Sequence, residues 1–249
     1  MEKRIEYLIE WLRNKTEKAG ADGLLVGISG GIDSAVVAYL IKRAFPDHSL
    51  GVILPINQGV EDQTDALDVV EGADLDYVGI ELTNTYQITY GTIKEQLDEK
   101  GDWDDDKSQL GGANLQARLR MSTLYAVGNN YNYLVVGTDN AAEDYTGYFT
   151  KYGDGGVDLV PLINLQKEEV REMAKVLGVP DSIIHKKPSA ELWEGQTDEE
   201  ELGMSYDTID AYLRGETIDP EDEKNLKERH EKTEHKRQTP AGPDKFEGA

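Results

Sequence analysis

A short turn rich in glycine and serine is the first feature of this sequence that could do chemistry. It reads Gly27-Ile28-Ser29-Gly30-Gly31-Ile32-Asp33-Ser34 and lies between an apolar run and a helical segment. Adjacent glycines let the backbone turn tightly, and the N–H groups of the turn and of the following helix then point at an anion. The hydroxyls of Ser29 and Ser34 add donors. The pattern predicts a phosphate-binding loop.

Two common phosphate loops do not fit this turn. No Gly-Lys-Ser/Thr follows it, so it is not a Walker A loop, and the Gly-x-Gly-x-x-Gly fingerprint of dinucleotide-binding folds is absent. The alternative is an ordinary turn from a strand to a helix, in which the serine and aspartate side chains only cap the helix.

The elements that must position this turn alternate along the chain. Short apolar runs predict strands at 23–28, 50–54, 76–80 and 133–137. Helical spacing of apolar residues predicts helices at 5–19, 33–45, 61–71, 85–98, 112–129, 167–177, 204–213 and 221–236. This order indicates an α/β fold, with a Rossmann-like, mostly parallel sheet flanked by helices.

The same pass along the chain predicts one domain over residues 1–249. We find no internal repeat and no linker; residues 143–163 predict a loop, and about 240–249 a loose polar tail. In sheets of this kind ligands bind beyond the carboxyl ends of the strands. The loops after Ile28, Leu54 and Gly137 are therefore expected to carry the chemistry.

Composition excludes several classes of protein. Aspartate and glutamate number 49 against 26 lysines and arginines, a net charge of −23, which argues against a nucleic-acid binder. The absence of cysteine excludes disulfides and thiol nucleophiles and fits a reducing, cytoplasmic location. The sequence predicts neither a signal peptide nor a membrane span. The acidic surface is either simply solvated or an adaptation to high salt, which would screen its self-repulsion.

The turn resembles the pyrophosphate-binding loop of the N-type ATP pyrophosphatases, whose pattern is Ser-Gly-Gly-x-Asp-Ser after a hydrophobic strand. In those enzymes a carboxyl or carbonyl oxygen attacks the α-phosphate of ATP, pyrophosphate leaves and an adenylate forms. The resemblance implies this class of reaction and the associated Rossmann-like (adenine nucleotide alpha hydrolase-like) fold. It does not by itself indicate the substrate.

Later motifs narrow the resemblance to ammonia-dependent NAD synthetases. The motifs are Ala117–Met121, Val136–Glu143, Gly147–Asp158, Lys186–Ala190 and His235–Arg237. Together with the turn they extend the resemblance over about residues 5–240. It implies that ATP adenylates the carboxylate of nicotinic acid adenine dinucleotide (deamido-NAD), and that ammonia then displaces AMP to give NAD. It also implies a Mg²⁺ cofactor and a homodimer, and no glutaminase domain is expected.

The resemblance assigns roles residue by residue. Asp33 and Glu143 match magnesium ligands, and Asp33 and Lys167 are the expected catalytic residues. Ser189 stands where some relatives have threonine, and either hydroxyl could serve. The ATP-binding set is Gly27, Ile28, Ser29, Gly30, Gly31, Ile32, Asp33, Ser34, Thr138, Lys167 and Ser189. The deamido-NAD-binding set is Arg118, Lys151, Asp158, His235 and Lys236.

Each assignment has a structural alternative. Asp33 could only cap a helix, Glu143 could be a surface acid, and Arg118 could form a surface ion pair worth little. The chain could also be another enzyme of the same loop class, such as a tRNA-modifying or GMP-forming amidotransferase domain, or a nucleotide sensor without turnover. The acidic charge argues against tRNA. The presence of Asp33, Glu143 and Lys167 argues against a sensor.

Polar, glycine-containing loops around 55–60, 100–111 and 190–198 are expected to order when substrates bind.

Overall fold

A computed structural model describes residues 1–57, 59–186 and 198–245, without the side chains of residues 60–62. Its strands are β1 (Gly23–Gly27), β2 (Ser49–Ile53), β3 (Tyr77–Gly79) and β4 (Tyr133–Val136). Its helices are α1 (Glu2–Ala19), α2 (Ile32–Ala44), α3 (Val60–Gly72), α4 (Thr83–Lys100), α5 (Asp105–Tyr131), α6 (Ala141–Thr146), α7 (Lys167–Leu177), α8 (Asp181–Ile184), α9 (Asp198–Leu202), α10 (Tyr206–Leu213) and α11 (Pro220–Arg237). None of the helices in these ranges is both long and apolar enough to cross a membrane.

The four strands form one parallel sheet in the order β3-β2-β1-β4. The chain proceeds outward from β1 to β3 and then returns to the other side of β1 to add β4. The strand order therefore reverses between β1 and β4, which is where open sheets of this kind bind ligands beyond their carboxyl ends. Leu24 of β1 pairs with Ser49 on one side and with Leu134 on the other. This confirms the predicted parallel, Rossmann-like sheet flanked by helices.

Alternation along β1 divides the core between the two faces of the sheet. Leu24 and Val26 point into a cluster with α1, α2 and α7, and Leu25 points into a second cluster with α5. Helix α2 is buried on nearly all sides, as expected for a helix that is apolar around its circumference. The rigid centre of the fold thus lies directly under the glycine- and serine-rich turn.

A smaller apolar cluster holds the C-terminal helices together. It contains Ala142 of α6, Leu202 of α9, Tyr206 and Ile209 of α10, and Leu226 of α11. This cluster places α10 and α11 beside the carboxyl end of β4, where the predicted site residues lie.

Several element boundaries differ from the prediction. Residues 143–163 were predicted to be a loop, but α6 covers the start of this range because Asn140 caps it: its side chain accepts from the backbone N–H groups of Ala142 and Glu143. Helix α5 begins at Asp105 and not near 112, since Asp104 accepts from the Asp106 N–H. The short helices α8 and α9 have no counterpart in the prediction.

Candidate active site

A cavity of about 440 Å³ opens at the carboxyl end of the sheet, between β1 and β4. Its wall includes the turn after β1, the middle of α5, the segment after β4 and the C-terminal half of α11. The predicted site residues that line it are Gly27, Ile28, Ser29, Gly31, Ile32, Asp33, Ser34, Thr138, Glu143, Lys167 and Lys236. Residues more than 100 positions apart in sequence therefore meet in one place.

The turn after β1 is held in shape by its own serines. The Ser34 hydroxyl donates to the Gly31 carbonyl at 2.9 Å and lies 3.1 Å from the Ser29 hydroxyl, which accepts from the Gly31 N–H. Gly30 has φ of 88°, a left-handed conformation that favours glycine. Among the described side chains none caps α2, so the first-turn N–H groups of this helix are available to an anion.

Lys167, the first residue of α7, lies between two carboxylates. Its Nζ is 2.6 Å from Asp33 Oδ2 and 3.4 Å from Glu143 Oε1. The Lys167 side chain is only 2% exposed, against 16% for Asp33 and 14% for Glu143. The ammonium is thus enclosed by protein, and the two carboxylates keep an edge open to the cavity.

Asn140 links the two carboxylates. Its side-chain amide donates to Asp33 Oδ1 at 3.0 Å, while its backbone N–H donates to Glu143 Oε2 at 3.0 Å. Asn140 is completely buried. The same residue therefore caps α6 and fixes both predicted metal ligands.

The electrostatics of the cavity are dominated by buried charge. Burial alone would lower the pKa of Lys167, but the carboxylates of Asp33 and Glu143 outweigh it and raise that pKa, so the side chain stays a cation. Burial raises the pKa of Glu143, partly opposed by Lys167. Desolvation in the cavity, reinforced by neighbouring carboxylates, also raises the pKa of Asp139. This concentration of negative charge favours a cationic ligand or a cation-bound one.

The donor set fits a magnesium ion that also binds phosphate. Asp33 and Glu143 both reach the one ammonium, so a single cation can contact both. No group of three or more potential ligands is present within the described ranges. Mg²⁺ usually takes one or two carboxylates and completes its shell with water and substrate phosphates. Two carboxylates beside an anion-binding turn meet that requirement.

Three of the residues predicted to bind the dinucleotide, Arg118, Lys151 and His235, are linked by hydrogen bonds, and a fourth, Lys236, lines the cavity. The Arg118 guanidinium donates to the Lys151 carbonyl at 3.2 Å, and Lys151 Nζ donates to the His235 carbonyl. Lys236 Nζ donates to the carbonyls of Gly147 and Phe149 at 2.7 and 2.6 Å. Of this group only Lys236 lines the cavity; Arg118, Lys151 and His235 lie outside its wall.

Two other predicted residues, Asp158 and Gly30, have different surroundings. Asp158 accepts from the Tyr125 hydroxyl at 3.0 Å and from the Val135 N–H at 2.8 Å, so its carboxylate joins α5 to β4. Gly30 belongs to the turn but not to the cavity wall. Ser189 lies outside the described residues.

Sequence reasoning missed several residues that the structure brings to the site. Arg120 lines the cavity and donates from Nε to the Leu54 carbonyl at 3.1 Å; its signal was its place in the quoted motif, two residues after Arg118. Tyr206 of α10 contacts Glu143, and Asp198 of α9 contacts the Tyr206 hydroxyl; no motif singled them out. Asp154 also lines the cavity, and burial raises its pKa.

Comparison with known proteins decides the family. The sequence model described as NAD synthase matches residues 4–240, nearly the whole chain.

The chain belongs to the NAD synthase family.

The family's curated relatives are similar over their full length. An NH(3)-dependent NAD(+) synthetase of Alkaliphilus oremlandii is 53% identical over 243 residues, covering 98% of this chain and 97% of the relative. The protein of the same name from Alkaliphilus metalliredigens is 49% identical, covering 96% and 97%. As a NAD synthase family member, the chain is an enzyme of the ligase class that forms NAD. These findings confirm the family indicated by the motifs and set aside the tRNA-modifying, GMP-forming and sensor alternatives.

Solved structures of the NAD synthase family share the fold. An NMN synthetase from Francisella tularensis superposes with a TM-score of 0.89 at 38% identity, covering 98% of both chains. An NH3-dependent NAD synthetase from Campylobacter jejuni, in complex with nitrate, has a TM-score of 0.77 at 30% identity and covers 98% of both chains.

Proposed function

We propose that this cavity carries out both steps of ammonia-dependent NAD synthesis. The observation that supports this most directly is the enclosed cluster of Lys167, Asp33 and Glu143 beside an anion-binding turn at the carboxyl end of β1. The cluster holds a cation and two carboxylates beside the turn that, in this proposal, binds the phosphates of ATP.

The first step adenylates the substrate. A carboxylate oxygen of deamido-NAD attacks the α-phosphate of ATP, the bond to the β-phosphate oxygen breaks, and pyrophosphate leaves. The N–H groups of residues 29–34 hold the β- and γ-phosphates, with Thr138 and Ser189 as further ATP contacts. Lys167 stabilises the charge that develops on the phosphates. When Mg²⁺ is bound by Asp33 and Glu143, it neutralises phosphate charge.

The second step forms the amide. Ammonia attacks the acyl carbon of the adenylate, AMP leaves, and the nitrogen loses a proton. AMP is a good leaving group whereas the oxide of a free carboxylate is not, so the first step makes the second possible at neutral pH.

The dinucleotide lies, in this proposal, against the basic group on the α11 side. Arg118, Lys151 and Lys236 supply positive charge in a chain whose net charge is −23, and His235 lies beside them. Lys236 already lines the cavity, but its ammonium is bonded to the carbonyls of Gly147 and Phe149. An ammonium has three N–H donors, so these two bonds leave one that can reach a substrate. Asp158 would act indirectly, because its carboxylate joins α5 to β4.

The shorter mononucleotide is a second candidate substrate. It is favoured by the high structural similarity to the Francisella tularensis protein named NMN synthetase. The chemistry would be unchanged, since the nicotinic acid carboxylate is the reacting group in both cases.

One assay tests the function and separates the two substrates. The protein is supplied with ATP, Mg²⁺ and ammonium, and with either deamido-NAD or nicotinic acid mononucleotide. We expect NAD to form only when ammonium is present, at a kcat/KM above that for the mononucleotide. A higher kcat/KM for the mononucleotide would make the mononucleotide, and not deamido-NAD, the substrate. If the protein releases AMP with another acceptor but with neither of these two substrates, the adenylating chemistry of the loop stands and both proposed substrates are excluded. Repeating the assay at low and high KCl tests adaptation to salt.

We also propose that the chain forms a homodimer through α4 and α5. None of the residues of α4 is buried, although it spans 18 residues. Ile88 is 71% exposed and Ile93 41% on this helix, and Leu110 of α5 is 65% exposed. A second copy of this chain would cover them. Sedimentation should give a dimer that Ile88→Asp dissociates and that Tyr7→Asp, an exposed position on α1, leaves intact; a monomeric wild-type protein would contradict the proposal.

A further inference from the structure

Helix α10 aims two side chains, one helical turn apart, at Lys167 and its surroundings. Tyr206 and Asp210 are at positions i and i+4, which lie on the same face of a helix. Tyr206 is 1% exposed and Asp210 is 1% exposed. Asp210 Oδ2 accepts from the Glu168 N–H at 3.3 Å, at the start of α7. It therefore helps to fix the end of the helix on which Lys167 stands.

Tyr206 contacts the catalytic cluster in two ways. Its hydroxyl lies 3.1 Å from Glu143 Oε1 and 3.0 Å from Asp198 Oδ2. The face of its ring lies 4.6 Å from Lys167 Nζ, measured to the ring centroid, which is within the range of a cation–π contact. The same oxygen of Glu143 thus faces both the hydroxyl and the ammonium of Lys167.

These contacts are more specific than packing requires. A phenylalanine would fill the same apolar cluster of α6, α9, α10 and α11 without placing a donor on the carboxylates. The hydroxyl has one hydrogen and two carboxylate acceptors, so it donates to one of them at a time. Burial raises the pKa of Tyr206, which keeps the hydroxyl protonated and able to donate.

We propose that Tyr206 is a positioning residue, which holds the Glu143 carboxylate with its hydroxyl and the Lys167 ammonium with its ring. It touches neither the substrates nor the reacting atoms and acts through these two side chains. Its role in turnover rests on the function proposed above. Its effect on Glu143 does not, because the metal affinity of the protein can be measured without turnover.

The experiment compares two tyrosine hydroxyls on the same helix. Tyr206→Phe removes the bonds to Glu143 and Asp198 and keeps the ring beside Lys167. Tyr212→Phe is the matched control. Among the described contacts, the Tyr212 hydroxyl bonds only to the Tyr145 hydroxyl, at 3.1 Å. Both variants and the wild-type protein are assayed well below the lower of their unfolding midpoints, so that all remain folded.

Two readouts are taken. In steady-state kinetics we expect Tyr206→Phe to lower kcat by about 10- to 100-fold, the usual cost of removing a partner of a metal ligand, with an unchanged KM for deamido-NAD. In the absence of deamido-NAD and ammonia, we expect the affinity of the ATP-bound protein for Mn²⁺, followed by the EPR signal of free Mn²⁺, to fall by about 10-fold. Tyr212→Phe should match the wild-type protein in both.

The outcomes separate this inference from the proposed function. Equal kcat and equal Mn²⁺ affinity in the two variants would overturn the positioning role. So would a loss confined to thermal stability, which indicates packing alone. If the wild-type protein makes no NAD, the proposed function fails; the Mn²⁺ measurement then still decides whether Tyr206 holds Glu143.

Discussion

The Asn140 side-chain amide donates to Asp33 Oδ1 at 3.0 Å and so ties the helix after β1 to the helix after β4. The other end of the same amide, Oδ1, accepts from the N–H groups of Ala142 and Glu143. One buried residue therefore sets the distance between two carboxylates that lie 110 positions apart in the sequence. The geometry of the proposed metal site depends on a residue that need not bind the metal itself.

Replacing Asn140 should separate stability from activity. Asn140→Ala removes the cap of α6, which costs about 1 kcal/mol of unfolding free energy. It also releases Asp33, and we expect kcat to fall by about 10- to 100-fold. Asp104→Ala is the control, because it removes the cap of α5 without contacting the cluster. Urea unfolding and NAD formation are measured on both variants. An equal loss of activity in the two would contradict this account.

Removing the enclosed cation should abolish turnover. Lys167→Met keeps an unbranched side chain, one atom shorter, beside Asp33 and Glu143. It removes the charge that would stabilise the phosphates. We expect kcat to fall by about 10²- to 10³-fold or more. Lys175→Met, on the exposed side of the same helix, should leave kcat unchanged. Near-normal turnover by Lys167→Met would exclude Lys167 from the reaction.

The raised pKa of Asp139 predicts that this residue destabilises the folded protein more at high pH than at low pH. Burial and the neighbouring carboxylates raise it, so the folded protein holds this proton more tightly than the unfolded chain does. The stabilising contribution is complete below the unfolded value, about 3.9, and is lost as the pH rises through the folded value. Asp139→Asn should therefore raise the melting temperature at pH 8 more than at pH 4.

The control for this measurement is Asp47→Asn, an exposed position far from the carboxylate cluster. It should shift the melting temperature by the same small amount at both pH values. A gain for Asp139→Asn that did not depend on pH would show that the ionised carboxyl is not the cause.

The close approach of α11 to the end of α6 depends on Gly147. This residue has φ of 63°, and an added Cβ would lie 2.3 Å from Thr233 Cβ. Gly20 ends α1 with a similar φ of 68° but has nothing within 4 Å. We expect Gly20→Ala to cost about 1–2 kcal/mol of unfolding free energy from backbone strain. Gly147→Ala should cost roughly 1–3 kcal/mol more because of the clash.

Thermal or urea unfolding of these two glycine variants measures the difference directly. Equal losses would mean that α11 can move away from residue 147 at little cost. In that case α11 would not be a fixed wall of the cavity.

Much of the fold followed from local signals in the sequence. Apolar runs located the four strands, and the turn at residues 29–34 correctly marked the point where β1 passes into α2. Helix α6 was missed because it has six residues and little apolar periodicity, although Asn140 and Glu143 carry the capping-box spacing. The start of α5 was missed for a related reason, since its first turn is polar and only the cap at Asp104 marks it.

The site was predictable where motifs carry it and not elsewhere. The resemblance assigned Asp33, Glu143 and Lys167 to ATP and magnesium binding, and the structure brings their side chains into contact, whereas the roles stay predictions. Asp198 and Tyr206 reach the same cluster only because the small apolar group under α10 and α11 folds against α6, a long-range contact that local pattern does not encode. Arg118 and Arg120 lie two residues apart on α5, so they point in different directions, and only the folded helix shows which one faces the cavity.

The near-complete enclosure of Lys167 gives the protein an internal chemical reporter. An amine-reactive reagent such as acetic anhydride should acylate the exposed lysines quickly, including Lys175 eight residues away on the same helix. It can reach Lys167 only when α7 moves away from Asp33 and Glu143. Peptide mass mapping of acylation at this one position would therefore follow the opening of the cluster over time, without any substrate and without an introduced label.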